Sequence, residues 1–292
     1  MEPTSPSGTQ RVNVVQAGKT YRSSFWRKPV VALSEFTLSA GAGEVVLLVG
    51  GNGAGKSTAL RLIAGIEQPT VGDVSILGGA PGDMNVRRRV GYLSDTSDLL
   101  SHLSATETLD FFGRLALLDR ATCKQRAAEL SSFLGIDRFR KRLVGQYSMG
   151  MRRRVGLAVV LMGQPDLLLL DEPTAGLDPE GMRLFDEILE REKDRGTTVV
   201  VASHHYGHSD ARADRMMILH QGRTVLSGPL DTINESIGRR DFTAFDLDAG
   251  AIEVLREHAQ NLGGSIGNDR VAATGVEDFV LKRAKDNEDI EA

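Results

Sequence analysis

The sequence predicts an α/β fold with a mostly parallel sheet whose strands are covered on both faces. Three short apolar runs carry that reading: "GEVVLLVG" (43–50), "DLLLLDE" (166–172) and "TTVVVAS" (197–203). Continuous apolar runs bounded by glycine or charge are the mark of strands buried on both sides. Stretches of helical spacing lie between them, and alternating buried strands and amphipathic helices build a parallel sheet. Ligands in such sheets sit beyond the carboxyl ends of the strands.

The elements follow in order. The opening "MEPTSPSGTQ" is polar and rich in Pro and Ser, so residues 1–11 read as a disordered tail, with no targeting signal. After the first buried strand, "STALRLIAGI" has helical spacing, and "RVGYLS" (89–94) reads as a further short strand. "SATE" (104–107) fits a capping box, a serine cap with a glutamate three residues on. "TLDFFGRLALL" and "CKQRAAELSSFLGI" then repeat apolar residues every three or four positions, so residues 96–154 read as a helical insertion. "MRLFDEILEREKDRG" is a helix between the second and third buried strands, and "RMMILHQGRTVLSG" reads as a hairpin. Residues 236–292 mix a strand pattern with two helices and form a small C-terminal α+β extension.

Bulk properties exclude some function classes. A net charge of −4 argues against nucleic acid as a partner, which calls for a basic surface. A single cysteine, Cys123, rules out an internal disulfide framework and suits a reducing cytoplasm. The longest apolar runs fall short of the roughly 18 residues of a membrane-spanning helix, so the chain is not expected to cross a bilayer by itself.

The chemistry starts at "GGNGAGKST", residues 50–58. Gly50 to Ser57 match G-x-x-x-x-G-K-[ST] between a strand and a helix, which is the context that motif requires. Glycines let Gly50, Gly51, Asn52, Gly53, Ala54 and Gly55 wrap their N–H groups around one anion. The helix that follows, entered through Lys56, Ser57 and Thr58, adds its positive end. Lys56 supplies a point charge for the β and γ phosphates, and Ser57 a hydroxyl for Mg²⁺. At the end of "LLLLDE", Asp171 is placed to hold the metal and Glu172 to take a proton from attacking water.

Taken together, the phosphate loop, the helical insertion, "YSMGMRRRVGLAVVLMGQPDLLLLDEPTAGLDP" and "VVVASHH" resemble the ATP-binding-cassette (ABC) ATPases over about residues 12–235. That resemblance implies a P-loop NTPase (RecA-like) core, an antiparallel β subdomain, and ATP and Mg²⁺ as substrate and cofactor. It places Ser148, Met149 and Gly150 in the signature loop, usually Leu-Ser-Gly-Gly-Gln, which contacts ATP held by a second cassette. Asp178 falls at the D-loop aspartate, and its place before Pro179 also suits a helix N-cap. His204 falls at the switch histidine that senses the γ-phosphate, and "HHYGH" lacks a third ligand for a metal. Tyr21 matches the aromatic that stacks on adenine, with Phe25 and Trp26 as neighbouring alternatives.

Three positions depart from the family pattern. Gly51 stands in place of proline. Met149 and Met151 replace a glycine and a glutamine, and methionine is costly if position 149 needs a positive φ. Asp95 occupies the glutamine of the Q-loop, either as a metal or water contact or as a plain loop residue. The arginine runs 87–89 and 152–154 read as ion pairs or surface cover rather than as a polyanion site.

The resemblance implies an ATP-hydrolysing subunit of an ABC transporter, an exporter of the ABC-2 type, coupling cassette dimerisation to separate transmembrane permease subunits. The ending "GVEDFVLKRAKD" (275–286) is similar to that group's. The second cassette is a homodimeric or heterodimeric partner. The chain is expected in the cytoplasm, peripheral to the inner face of the cell membrane through its permease. The alternative is a weakly hydrolysing cassette that serves as a regulatory or non-transport mechanical switch.

Overall fold

The structure, a computed structural model, describes residues 10–22, 28–96, 99–204 and 212–233. The expected extension at 236–292, the tail up to residue 9, Phe25, Trp26, His205 and His208 lie outside the described residues.

Two sheets organise the chain. The larger runs β5 (Val90–Leu93), β6 (Leu167–Asp171), β7 (Thr198–Ser203), β3 (Val45–Val49), β8 (Arg215–His220), β9 (Arg223–Pro229). All neighbours pair in parallel except β8 and β9, which form the expected hairpin. The smaller sheet is antiparallel, in the order β2 (Val30–Gly41), β1 (Gln10–Tyr21), β4 (Val71–Ile76). Its long strands escape a reading by periodicity because bulges interrupt their alternation at several points. β1 begins at Gln10, so Gln10 and Arg11 are not tail. Gln10 pairs with Gly41, and the Arg11 guanidinium binds Asp166 at 3.2 Å.

The apolar runs are continuous because each large-sheet strand divides its side chains between two cores. Val45, Leu47, Val49, Leu168, Leu170, Val199 and Val201 face one cluster. It is filled by α3 (Ala105–Leu115), α4 (Arg120–Phe133), α5 (Met149–Leu161) and α6 (Pro179–Asp194). Val46, Leu48, Leu167, Leu169, Val200 and Ala202 face the other, beneath α1 (Lys56–Ile63) and the antiparallel sheet. A one-residue slip in any of these strands exchanges its two faces, so register is firmly fixed.

The insertion between β5 and β6 is helical, and Ser104 caps α3 with the full reciprocal box to Glu107. α5 does not stop near residue 154 but runs to Leu161, with Val155, Leu157, Ala158 and Leu161 in the core. It is therefore both the last helix of the insertion and the bridge back to the sheet.

Candidate functional site

The carboxyl ends of the central strands bring the predicted residues to one edge. Val49 pairs with Ser203, and Asp171 with Ala202, so the turns that follow β3, β6 and β7 emerge side by side. Those turns carry the glycine loop, Glu172 and His204. β5 pairs with β6 up to Leu93–Leu170, which puts Ser94 and Asp95 on the same edge.

The glycine loop enters α1 through Gly55, at φ 103° and ψ 0°. A Cβ at Gly55 would lie 2.6 Å from the Ala32 carbonyl oxygen, so both backbone conformation and space require glycine there. No side chain caps this helix. The first N–H groups of a helix have no partner within it, so those of α1 are left to an anion. Lys56 is 6% exposed, and its Nζ donates to the Gly50 carbonyl at 2.6 Å. Burial lowers the Lys56 pKa, and the charges of Glu172 and Asp171 oppose that shift. The ammonium is thus tied to the loop and aimed at the acidic pair.

Asp171 is 2% exposed. Burial pushes its carboxyl above the usual carboxylate range, while the Ser57 hydroxyl works against this. Its Oδ1 is buried without a hydrogen-bond partner in the protein. An orphaned carboxylate oxygen beside a serine hydroxyl, next to a cluster of N–H donors, is the donor set of a hard cation shared with phosphate. Mg²⁺ fits that set. Among the described residues no group of three or more His, Cys, Asp or Glu gathers to hold a metal unaided.

Glu172 follows at φ 49° and ends β6 by donating its N–H to the Ala202 carbonyl at 2.9 Å. A left-handed glutamate is uncommon, and such strain gathers at functional positions. Its two oxygens are divided between opposite neighbours: Oε1 lies 3.7 Å from Lys56 Nζ, and Oε2 lies 2.7 Å from His204 Nδ1. A carboxylate opposite Nδ1 requires the proton on that nitrogen, which fixes the tautomer of a neutral imidazole.

The signature segment opens α5. Ser148 is the N-cap, its Oγ accepting from the Met151 N–H at 3.3 Å. Met149 occupies the first helical turn and has no positive φ, so the cost expected for methionine there does not arise. Its side chain is 62% exposed and lies over Gly176. Gly150 packs close to the Gly176 carbonyl.

Asp178 caps α6 through the Gly181 N–H at 2.9 Å and pairs with Arg154 at 2.7 Å. That backbone donor and then the guanidinium hold its carboxyl below the usual range. Arg154 therefore makes the ion pair expected of its run, and Arg89 does the same with Asp166. Arg153 does not belong to the surface. It is 3% exposed and donates to the Ser94 and Asp95 carbonyls at 2.9 and 3.0 Å. Sequence reasoning missed it, because only the fold shows which arginine of three faces inward.

Tyr21 closes β1, and its hydroxyl donates to Glu67 at 2.7 Å and accepts from Arg61 at 3.2 Å. Arg61 also reaches the Thr58 hydroxyl, which places Tyr21 beside the first turns of α1. Lys19 stands 5.3 Å from the Tyr21 ring centroid. No helix among the described residues is long and apolar enough to cross a membrane.

Known proteins match this arrangement. A family model described as "ABC transporter" covers residues 33–175. An uncharacterised ABC transporter ATP-binding protein of Nostoc is 37% identical over 84% of this chain and 73% of its own length. The Nod factor export ATP-binding protein I of Rhizobium leguminosarum is 35% identical, over 88% of this chain and 83% of its own. A solved dimer of an ATP-binding cassette in a post-hydrolysis state, bound to ADP and Pi, superposes with a TM-score of 0.69. That structure is 26% identical and spans 75% of this chain and 98% of the other.

Proposed function

The chain belongs to the ABC transporter ATP-binding proteins, and from that premise we propose that it is the ATPase subunit of an exporter whose membrane-spanning permease subunits are separate chains. One observation carries the mechanism: Glu172 is held between Lys56 and His204, directly after the buried Asp171. Glu172 is the general base for the water that attacks the γ-phosphate. His204 orients that carboxylate and senses the γ-phosphate. Lys56 and the amides of residues 50–58 seat the triphosphate, and Tyr21 receives the adenine. Ser57 and Asp171 would hold Mg²⁺, with Asp95 in support, and the ion would offset the charge of the phosphates.

Each site is completed by Ser148, Met149 and Gly150 of a second cassette, the same chain or a related one, and Asp178 lies between the two sites. The cassette spans residues 10–235 with its helical insertion between β5 and β6, and 236–292 is an extension. The export reading rests on the name of the Rhizobium relative and on the ending at 275–286. The subunit works at the cytoplasmic face of the membrane, held there by its permease.

The test is Mg-ATP binding beside phosphate release. The parent protein is expected to do both, and Lys56→Ala to lose binding by at least tenfold. Equal binding by the two proteins refutes the assignment.

A further inference from the structure

Tyr147, the residue before the signature serine, is 4% exposed, and its hydroxyl joins three separate pieces of backbone. It accepts from the Ala105 N–H at 3.2 Å, in the first turn of α3. It faces the carbonyls of Arg142 at 3.0 Å and Phe139 at 3.2 Å, sharing one proton between them. The ring packs edge-on against Phe139, centroid to centroid 5.0 Å. A tyrosine hydroxyl is protonated at neutral pH and so can donate, and burial pushes the Tyr147 pKa further up.

The backbone around this hydroxyl is laced together. Thr106 N donates to the Arg140 carbonyl, Val144 N to Leu103 and Gly145 N to Ser101. The strip 140–145 is thereby bound to the strip 101–106, and Tyr147 locks their junction from beneath. Ser148 is the next residue, and from there the chain turns into α5. The family pattern has leucine at position 147. Leucine fills such a space but makes none of these hydrogen bonds.

We propose that Tyr147 is a positioning residue for Ser148, its hydroxyl fixing the signature serine relative to the helical insertion. The inference rests on the reading that Ser148 completes the partner cassette's site. A loosened Ser148 lowers turnover without weakening the nucleotide's primary seat, which lies on residues 50–58 of the other copy.

The test is a double-mutant cycle on the full chain, read as kcat for phosphate release together with the affinity for Mg-ATP. Tyr147→Phe keeps the ring and its edge-on contact and deletes only the hydroxyl. It is expected to lower kcat about 3–10-fold, the range of one lost hydrogen bond, with Mg-ATP affinity unchanged within twofold. In a Ser148→Ala background the same change is expected to lower kcat no further. Tyr147→Leu, a second variant that also lacks the hydroxyl, is expected to match the kcat loss of Tyr147→Phe.

An unchanged kcat in Tyr147→Phe, a parent-like kcat in Tyr147→Leu, or full additivity with Ser148→Ala overturns the inference. If Ser148→Ala alone leaves kcat intact, the role assigned to Ser148 fails, and this inference fails with it.

Discussion

Arg153 and Asp95 are joined twice: an Nη of the arginine donates to the Asp95 carbonyl at 3.0 Å and lies 3.4 Å from its carboxylate. The aspartate is 60% exposed and the arginine 3%, so the pair spans the boundary between core and site. Burial lowers the Arg153 pKa, and the charges of Asp95, Asp171 and Glu172 counter it. The start of the signature helix is thereby fastened to the loop that enters the helical insertion.

Replacing Arg153 with methionine leaves the Ser94 and Asp95 carbonyls without their donor. Those carbonyls are only partly buried and can turn to water, so the loss is the net worth of a hydrogen bond, about 0.5–1.5 kcal/mol, and a domain of this size loses roughly 2–4 °C in Tm per kcal/mol. A melting curve measures that loss. Phosphate release is expected to fall as well, since Asp95 is no longer held beside Asp171. An unaltered Tm together with unaltered turnover contradicts the fastening role.

Glu172→Gln keeps the shape of the side chain and its reach toward His204 but removes the base. Turnover is expected to drop by about 10²–10⁴-fold, the range for a general base, with Mg-ATP binding retained. Light scattering after gel filtration in Mg-ATP is expected to show an accumulated dimer. Turnover within a few-fold of the parent identifies another residue as the base.

Gly176 stands at φ 74°, with Met149 Cε 2.2 Å from where a Cβ would be. Gly176→Ala therefore carries backbone strain of roughly 1 kcal/mol, while the methyl end of the exposed Met149 side chain can swing aside. Adding Met149→Ala, which removes that methyl and keeps a good helix former, is expected to leave the loss in place. Urea unfolding of the single and double variants measures it. Recovery to full parent stability would show that the backbone there tolerates a side chain.

Acid stability offers a separate check. Burial alone raises the Asp166 carboxyl, but the Arg89 guanidinium, joined by Arg11 and Arg195, overrides it and holds the pKa below the usual value. A carboxylate depressed in the folded state contributes in full above its unfolded pKa of about 3.9. That contribution disappears as the pH falls through the lower native value. Arg89→Gln, which removes the contact at 2.6 Å, moves the acid-unfolding midpoint upward. The shift is small, because half-exposed pairs contribute about 1 kcal/mol or less. Circular dichroism against pH reads it, and a midpoint that moves down is incompatible with the pairing.

What the sequence made legible follows from how local each signal is. Lys56, Ser57, Asp171 and Glu172 sit in short contiguous motifs at strand ends, and the structure gathers them at one edge. The Ser104–Glu107 box was readable for the same reason, since both of its partners lie within one turn. Arg153 and Tyr147 were not readable, because Asp95 lies 58 residues from the first and Ala105 lies 42 from the second. The glycine of the family pattern suggests a positive φ at Met149, whereas its first-turn position in a helix suits any side chain. The 12-residue strands β1 and β2 escaped an element-by-element reading because their bulges break the alternation that marks a strand.

The helical insertion leaves the sheet after Leu93 and re-enters at Leu167, on two strands that are already neighbours. The turns after Val49, Asp171 and Ser203 are anchored in the sheet itself, while α3, α4 and α5 of the insertion cover one of its faces. Such an attachment makes the insertion an exchangeable fitting. Grafting residues 94–166 of a relative, Tyr147 and Arg153 among them, should therefore leave the pairing of β5 with β6 and the glycine loop in place.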